Sequence, residues 1–290
     1  TYGERIVLRL LDKQSAQINI QHLGLERNIL KNYQATLKAS KGIILVTGPT
    51  GSGKTTTLYA GLRYLSDSSQ NILTVEDPIE YTLNGVGQTQ VNAKTGYDFA
   101  MGLRSMLRQD PDIVMVGEIR DQETARIAIQ ASLTGHLVLT TVHTNSAVGA
   151  ITRLRDMGIE PYLLSSSLKT IISQRLVRRL CNHCKQENQL SSSMAKLFNI
   201  KKGTTVFKPK GCDHCDGTGY VGRIAVAESI QIDAELKNMI HEKASEQEIA
   251  KYAFQNNLSM DEAGQDLIVS GISSAEELIR INNQKDDVSL

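Results

Sequence analysis

An α/β fold with a mostly parallel sheet is predicted for these 290 residues, and three observations carry that expectation. Between 41 and about 175, short β-rich apolar runs alternate with amphipathic stretches of helical period, as strands alternate with helices packed on both faces of a parallel sheet. The run Gly48-Pro49-Thr50-Gly51-Ser52-Gly53-Lys54-Thr55 reads G-x-x-x-x-G-K-T and lies between an apolar run and a helical stripe. A further apolar run, Asp112-Ile113-Val114-Met115-Val116-Gly117, ends in the carboxylate of Glu118.

Residues 1–40 hold an apolar run at 6–11, then polar ground, then a helical stretch near 26–40. The opening Thr1-Tyr2-Gly3-Glu4-Arg5 has neither a leading Met nor the apolar centre of a signal peptide. A cut inside a larger protein is expected, with 1–40 the remnant of a truncated N-terminal domain and its linker.

A strand is expected at 43–47 and a helix from Thr55 with Leu58, Leu62 and Leu65 on one stripe. Strand, glycine loop and helix together form a phosphate loop. Its glycines let backbone N–H groups turn inward around a phosphate at the positive end of the helix. Lys54 brings a charge to the β- and γ-phosphates, and Thr55 offers a hydroxyl to Mg²⁺.

The next strand, at 71–75, runs into Glu76-Asp77-Pro78, where a water-activating carboxylate belongs, with Glu80 in reserve. An ordinary Asp-Pro turn is the competing reading. Asn84-Gly85, inside alternating residues, predicts a hairpin inserted on the sheet. The strand at 112–117 delivers Glu118, placed to hold Mg²⁺ through water or to polarise the attacking water. Arg104 and Arg108, four apart on one helical face, and Arg120 are candidate phosphate contacts; surface ion pairs are the alternative for each. A strand at 137–142 has His136 before it and His143 after it, and one of the two is expected to sense the γ-phosphate. Residues 146–175 read as helical and close a nucleotide-binding core of 41–175.

Residues 176–230 carry four cysteines. Cys181-Asn182-His183-Cys184 and Cys212-Asp213-His214-Cys215 are two C-x-x-C knuckles separated by 27 residues. Four thiolates from two such turns suit a closed tetrahedral site for structural Zn²⁺. A redox pair and reduced structural thiols are the competing readings. Arg175, Arg178, Arg179, Lys201, Lys202, Lys208 and Lys210 make this lobe locally basic, a solvated face or a contact for anionic lipid. Residues 231–290 read as short helices with a polar tail.

Composition bounds the partners. A net charge of +1 gives no global electrostatic case for nucleic acid, which disfavours a DNA motor on the same fold. No run of about 18 apolar residues is present, so no membrane-crossing helix is expected.

In order, the loop at 48–55, the acidic box Thr74-Val75-Glu76-Asp77-Pro78-Ile79-Glu80, the stretch 108–124 and the histidine box 134–145 resemble the secretion ATPases of type II secretion and type IV pilus assembly. Gly85-Val86-Gly87-Gln88-Thr89-Gln90-Val91-Asn92 and Arg153-Leu154-Arg155-Asp156-Met157-Gly158-Ile159-Glu160-Pro161 are similar to the type II assembly ATPases in particular. The resemblance implies a RecA-like core and ATP hydrolysis with Mg²⁺. It also implies a homo-hexameric ring, a preceding N-terminal domain that reaches inner-membrane secretion proteins, and a place in the cytoplasm at the inner membrane. Residue by residue, it makes Glu76 the catalytic acid of its box, Glu118 the metal acid and His136 the box histidine. It makes Arg104, Arg108 and Arg120 phosphate-facing, and Arg9 an arginine brought to the nucleotide by the preceding domain. Assembly ATPases of this kind carry a tetracysteine element that pilus-retraction ATPases lack, which implies assembly.

Overall fold

The computed structural model describes Gly3, residues 19–66 and residues 69–283. The expected strand at 6–11, Arg9 and the tail at 284–290 lie outside the described residues.

Helix α1 (Arg27–Leu37) starts where Glu26 accepts N–H bonds from Asn28 and Ile29, and it buries Ile29, Tyr33 and Leu37. Strand β1 (Gly42–Thr47) is buried along its whole length, as a strand covered on both faces must be. Helix α2 (Lys54–Leu65) leaves the glycine loop, and β2 (Ile72–Glu76) follows. Next come β3 (Gly87–Gln90), α3 (Phe99–Met106), β4 (Ile113–Val116), α4 (Gln122–Leu133) and β5 (Leu137–Val142). Then α5 (Ala147–Asp156), α6 (Pro161–Ser167) and the long β6 (Leu168–Leu180) complete this half.

The sheet order is β3-β2-β4-β5-β1-β6, all parallel, with β9 (Tyr220–Gln231) antiparallel on β6. Alternation along β1 divides the core. Ile43 and Leu45 pack with Val114, Val138 and Ala128 on one face, while Ile44 and Val46 pack with Leu58, Tyr59 and Met115 on the other. Because β1, β2, β4 and β5 are parallel, their C-terminal ends share one edge of the sheet, and the loops leaving that edge can converge.

Between β6 and β9 the chain forms a small lobe holding β7 (Gln186–Gln189), α7 (Ser192–Leu197) and β8 (Thr205–Lys208), with β7 and β8 antiparallel. Helices α8 (Ala234–His241), α9 (Glu246–Ala253), α10 (Met260–Val269) and α11 (Ala275–Asn283) follow. Glu228 of β9 ties them to the core, accepting N–H bonds from Ala147 at the start of α5 (2.7 Å) and Met260 at the start of α10 (3.1 Å).

Two local expectations are corrected. Asn84-Gly85 does turn, but β3 runs parallel to β2, with Leu73 opposite Gly87, so there is no hairpin. Residues 77–86 carry the chain back along β2, pinned by Leu83 in the core and by Tyr81 edge-on to Tyr59. Residues 146–175 are helical only to Ser167, because β6 begins at Leu168. Flanked by β1 and β9, this segment is buried on both faces, so its apolar residues show no two-residue alternation. β6 also runs unbroken through residues 175 and 176.

Candidate functional site

The loop between β1 and α2 turns on backbone geometry that only glycine accepts. A Cβ at Gly48 would lie 2.2 Å from the carbonyl oxygen of Gln174, and Gly53 has φ of +86°. Lys54 arches over the loop and donates to the carbonyls of Gly48 (2.9 Å) and Pro49 (3.0 Å). Burial holds its ammonium below the ordinary lysine range, opposed by the charge of Glu118.

A cavity of about 580 Å³ opens from this loop, lined by residues 50–56, Glu76, Asp77, Glu80, Tyr81, Glu118, Arg120, His143 and Arg223. Glu118, just past β4, binds His143 Nε2 through Oε1 (3.1 Å) and Arg120 Nε through Oε2 (2.8 Å). Arg120 also reaches Asp77 (3.6 Å). Burial lowers the pKa of His143 below its usual 6.5, the charges of Lys54 and Arg120 lower it further, and Glu118 opposes them. The neutral ring therefore donates from Nε2 to Glu118 and leaves Nδ1 as an acceptor.

Glu76, at the end of β2, is 2% exposed. It accepts from the Tyr59 hydroxyl, from Thr74 Oγ1 (2.5 Å) and from Gln88 Nε2 (3.1 Å). Burial, then the bond to Glu76, pushes the Tyr59 phenol well above its ordinary range, so it remains a donor. Three donors hold the carboxylate in one orientation at the cleft wall.

Of the residues singled out in the sequence, the structure thus brings together the loop from Thr50 to Thr55, Glu76, Glu80, Glu118, Arg120 and His143. It does not bring in three others. His136 precedes β5 at the opposite edge of the sheet, with Nδ1 2.9 Å from the Ala131 carbonyl. Seven residues of extended chain, roughly 20 Å, separate it from His143, which is the histidine in the cleft. Arg104 pairs with Glu123 of α4, and Arg108 is exposed beyond α3; neither lines the cavity. Tyr59, Gln88 and Arg223 are site residues that the sequence does not point to, and His143 is the one of the two candidate histidines that lines the cleft. For His143 a signal existed, since the C-terminal end of a parallel strand is where such sites gather.

In the lobe, the four cysteine sulfurs lie within 4.8 Å of one another. The separations Cys181–Cys212, Cys184–Cys215 and Cys212–Cys215 are 3.9, 3.8 and 3.7 Å. Zn–S bonds of about 2.3 Å in a tetrahedron set sulfurs about 3.8 Å apart, whereas a disulfide needs about 2.05 Å. The donor set fits zinc. The backbone N–H groups of Cys212 (3.2 Å) and Gly219 (3.1 Å) donate to the Cys215 sulfur, as outer-shell donors do to a thiolate that a metal takes. Two of the basic residues expected on the lobe surface are committed elsewhere. Arg175 is buried near the phosphate loop, and Arg178 binds Glu277.

A parallel sheet with a glycine loop after β1, one acid after β4 and a second after β2 defines a RecA-like P-loop fold. Within that class, a model of the Type II/IV secretion system protein family matches residues 1–280, and the chain belongs to that family. It is 53% identical over 285 residues to the Type II secretion system protein E of Pseudomonas aeruginosa and 51% identical over 286 residues to the Type II secretion system ATPase E of Vibrio cholerae. In both comparisons 98% of the chain is covered, and it spans 57% of the relative's length. Among solved structures it is similar to the pilus retraction motor PilT with bound ADP, at a TM-score of 0.69 and 30% identity, covering 92% of this chain and 66% of that one. The ATPase DotB of Legionella pneumophila gives a TM-score of 0.67 at 25% identity, with coverage of 92% and 66%. Among the described residues, no helix is long and apolar enough to cross a membrane.

Proposed function

We propose that this chain is the motor part of a type II secretion assembly ATPase, which hydrolyses Mg-ATP to drive pseudopilus assembly and protein export. The observation that carries this reading is the single cleft in which Lys54 and the phosphate loop face Glu76, Glu118, Arg120 and His143. The loop's N–H groups and Lys54 bind the phosphates. Thr55 and Glu118 would hold Mg²⁺, which when bound neutralises charge on the β- and γ-phosphates. Glu76 takes the proton of the attacking water, with Tyr59 and Gln88 fixing its direction. Arg120 and His143 face the terminal phosphate.

In this reading the subunits form a homo-hexamer in the cytoplasm at the inner membrane, engaging secretion proteins there through an N-terminal domain, with Arg9 directed to the nucleotide. The four cysteines hold structural zinc, which supports assembly over retraction. Exposed Lys201, Lys202, Lys208 and Lys210 offer that lobe a contact for anionic lipid. Type IV pilus assembly is the second reading. It shares the resemblance of the four boxes, although the named relatives belong to type II secretion. Phosphate release from Mg-ATP, with Lys54→Ala and Glu118→Gln as controls, tests the enzyme. Wild-type turnover that equals that of both variants would overturn it.

A further inference from the structure

We propose that Gln174 is a positioning residue for the phosphate loop: its buried side-chain amide orients the Ser52–Gly53 peptide so that the peptide N–H faces the β-phosphate. This deepens the nucleotide-binding reading above and rests on it.

Gln174 lies on β6, the strand beside β1, and is 1% exposed. A primary amide within a run that includes Ile171, Ile172 and Val177 is costly to bury unless both of its ends are bonded. Both are. Nε2 donates to the Ser52 carbonyl at 2.8 Å, and Oε1 accepts from Thr57 Oγ1 at 2.8 Å. One amide therefore joins the last turn of the loop to the first turn of α2. Its surroundings are equally close: the Gln174 carbonyl abuts Gly48, and its Nε2 lies 3.2 Å from where a Gly53 Cβ would stand.

The consequence follows from peptide geometry. In a trans peptide the C=O and N–H point in opposite directions. With the Ser52 carbonyl held against β6, the N–H of Gly53 is turned to the other side, where Gly53 and Lys54 line the cleft. Sterics alone do not enforce this. Gly53 lacks a Cβ, so a flip of the Ser52–Gly53 peptide meets little resistance from its own side chain. The bond from Gln174 selects one orientation, and the loop's donors are aimed before a nucleotide arrives. Because the loop cradles the α- and β-phosphates, which ADP and ATP share, the contribution is common to both nucleotides.

The test is titration of Mg-ADP and Mg-ATP into wild type, Gln174→Met and Gln174→Glu, with thermal melting of each. Gln174→Met, close in size, should weaken both nucleotides by about tenfold with their affinity ratio unchanged. It should raise KM for ATP by a similar factor and leave kcat at saturating ATP within about twofold. Gln174→Glu sets a carboxylate against a carbonyl and should bind weakly at pH 8. Relative to wild type it should recover as pH falls, since the protonated acid regains a donor for Ser52. That rescue is a readout that loss of packing would not produce. Wild-type affinity in a Gln174→Met variant with a native melting transition would overturn the proposal, as would a Gln174→Glu variant with no pH-dependent recovery. Failure of both variants to fold would make the amide structural and also overturn it. A wild-type chain that binds neither nucleotide would instead remove the nucleotide-binding reading itself.

Discussion

Glu118 Oε1 and His143 Nε2 meet at 3.1 Å across the mouth of the phosphate loop, joining the ends of two adjacent parallel strands. The imidazole, partly buried and near Lys54 and Arg120, is disfavoured as a cation despite its acidic neighbour. Its folded pKa lies below the unfolded 6.5, so below that pH the unfolded chain binds more protons. Stability is thus expected to fall as pH drops through 6.5 and to level off below the folded value. His143→Gln should flatten that part of the curve. The check is thermal melting of wild type and variant from pH 8 to 5, reading the difference between them; parallel curves would contradict the expectation.

Turnover and binding should separate at the acids. Lys54→Ala removes the charge that faces the phosphates, so nucleotide affinity is lost. Glu76→Gln and Glu118→Gln are expected to bind ATP near wild-type strength, since the loop and Lys54 supply the phosphate contacts, and to lose at least about 10²-fold in kcat, since one removes the base and the other weakens the hold on Mg²⁺. Single-turnover kinetics beside a binding titration measure both. Near wild-type kcat in both glutamine variants would mean that neither acid has the role assigned to it.

The four sulfurs spaced for a tetrahedral ion lead to about one zinc per chain in purified protein. Cys181→Ser should release it and loosen the lobe between β6 and β9. The nucleotide core should stay folded, because its burial on both faces of β1 does not involve the lobe. Elemental analysis with nucleotide binding decides; protein free of zinc, or a variant that loses the core with the metal, would go against it.

Glu277 is 1% exposed and accepts from Arg178 Nε (2.9 Å), the Arg178 backbone N–H (3.1 Å) and Arg280 Nε (3.1 Å), which locks α11 to β6. Against the burial that would push it up, these bonds hold its pKa down to about 2. A depressed carboxylate contributes stability above its unfolded pKa, near 4.5, and that contribution is lost as pH falls toward about 2. Glu277→Gln should cost about 1–3 kcal/mol at pH 7, since Arg178 and Arg280 lose a charged acceptor. The cost should shrink in acid. Urea melts at pH 7 and pH 3 test this, and an equal cost at both would show that the charge is not what matters.

Local chemistry made much of the site readable in the sequence. The glycines and Lys54 of the loop, and the acids Glu76 and Glu118 at strand ends, owe their roles to immediate neighbours along the chain. What was not readable depends on strand direction and order. Choosing between His136 and His143 requires knowing which end of β5 shares an edge with the loop. Gln88 meets Glu76 only because β3 returns parallel to β2, where Asn84-Gly85 suggested a reversal, and Tyr59 reaches the same carboxylate from α2. Gln174 reaches the loop because β6 lies beside β1, and that is a tertiary fact.

Arg104 and Arg108 lie outside their own chain's cleft, Arg104 against Glu123 of α4 and Arg108 exposed. If the chain works as a ring, arginines on such a face can serve a neighbour's nucleotide, and an arginine aimed at developing phosphate charge is worth 10³–10⁵ in rate. Specific activity is then expected to rise with protein concentration. Arg120→Ala should lower turnover within its own cleft at every concentration. Arg104→Ala should lower it only where chains assemble. Mixing gives the sharper test. Lys54→Ala has a cleft that cannot bind but an intact Arg104, and Arg104→Ala has an intact cleft but no arginine to lend. Each alone should be at least tenfold slower than wild type, and an equal mixture should regain activity above both. A mixture no faster than the mean of its parts, or a wild-type specific activity that is high and flat with concentration, would mean that each chain completes its own site.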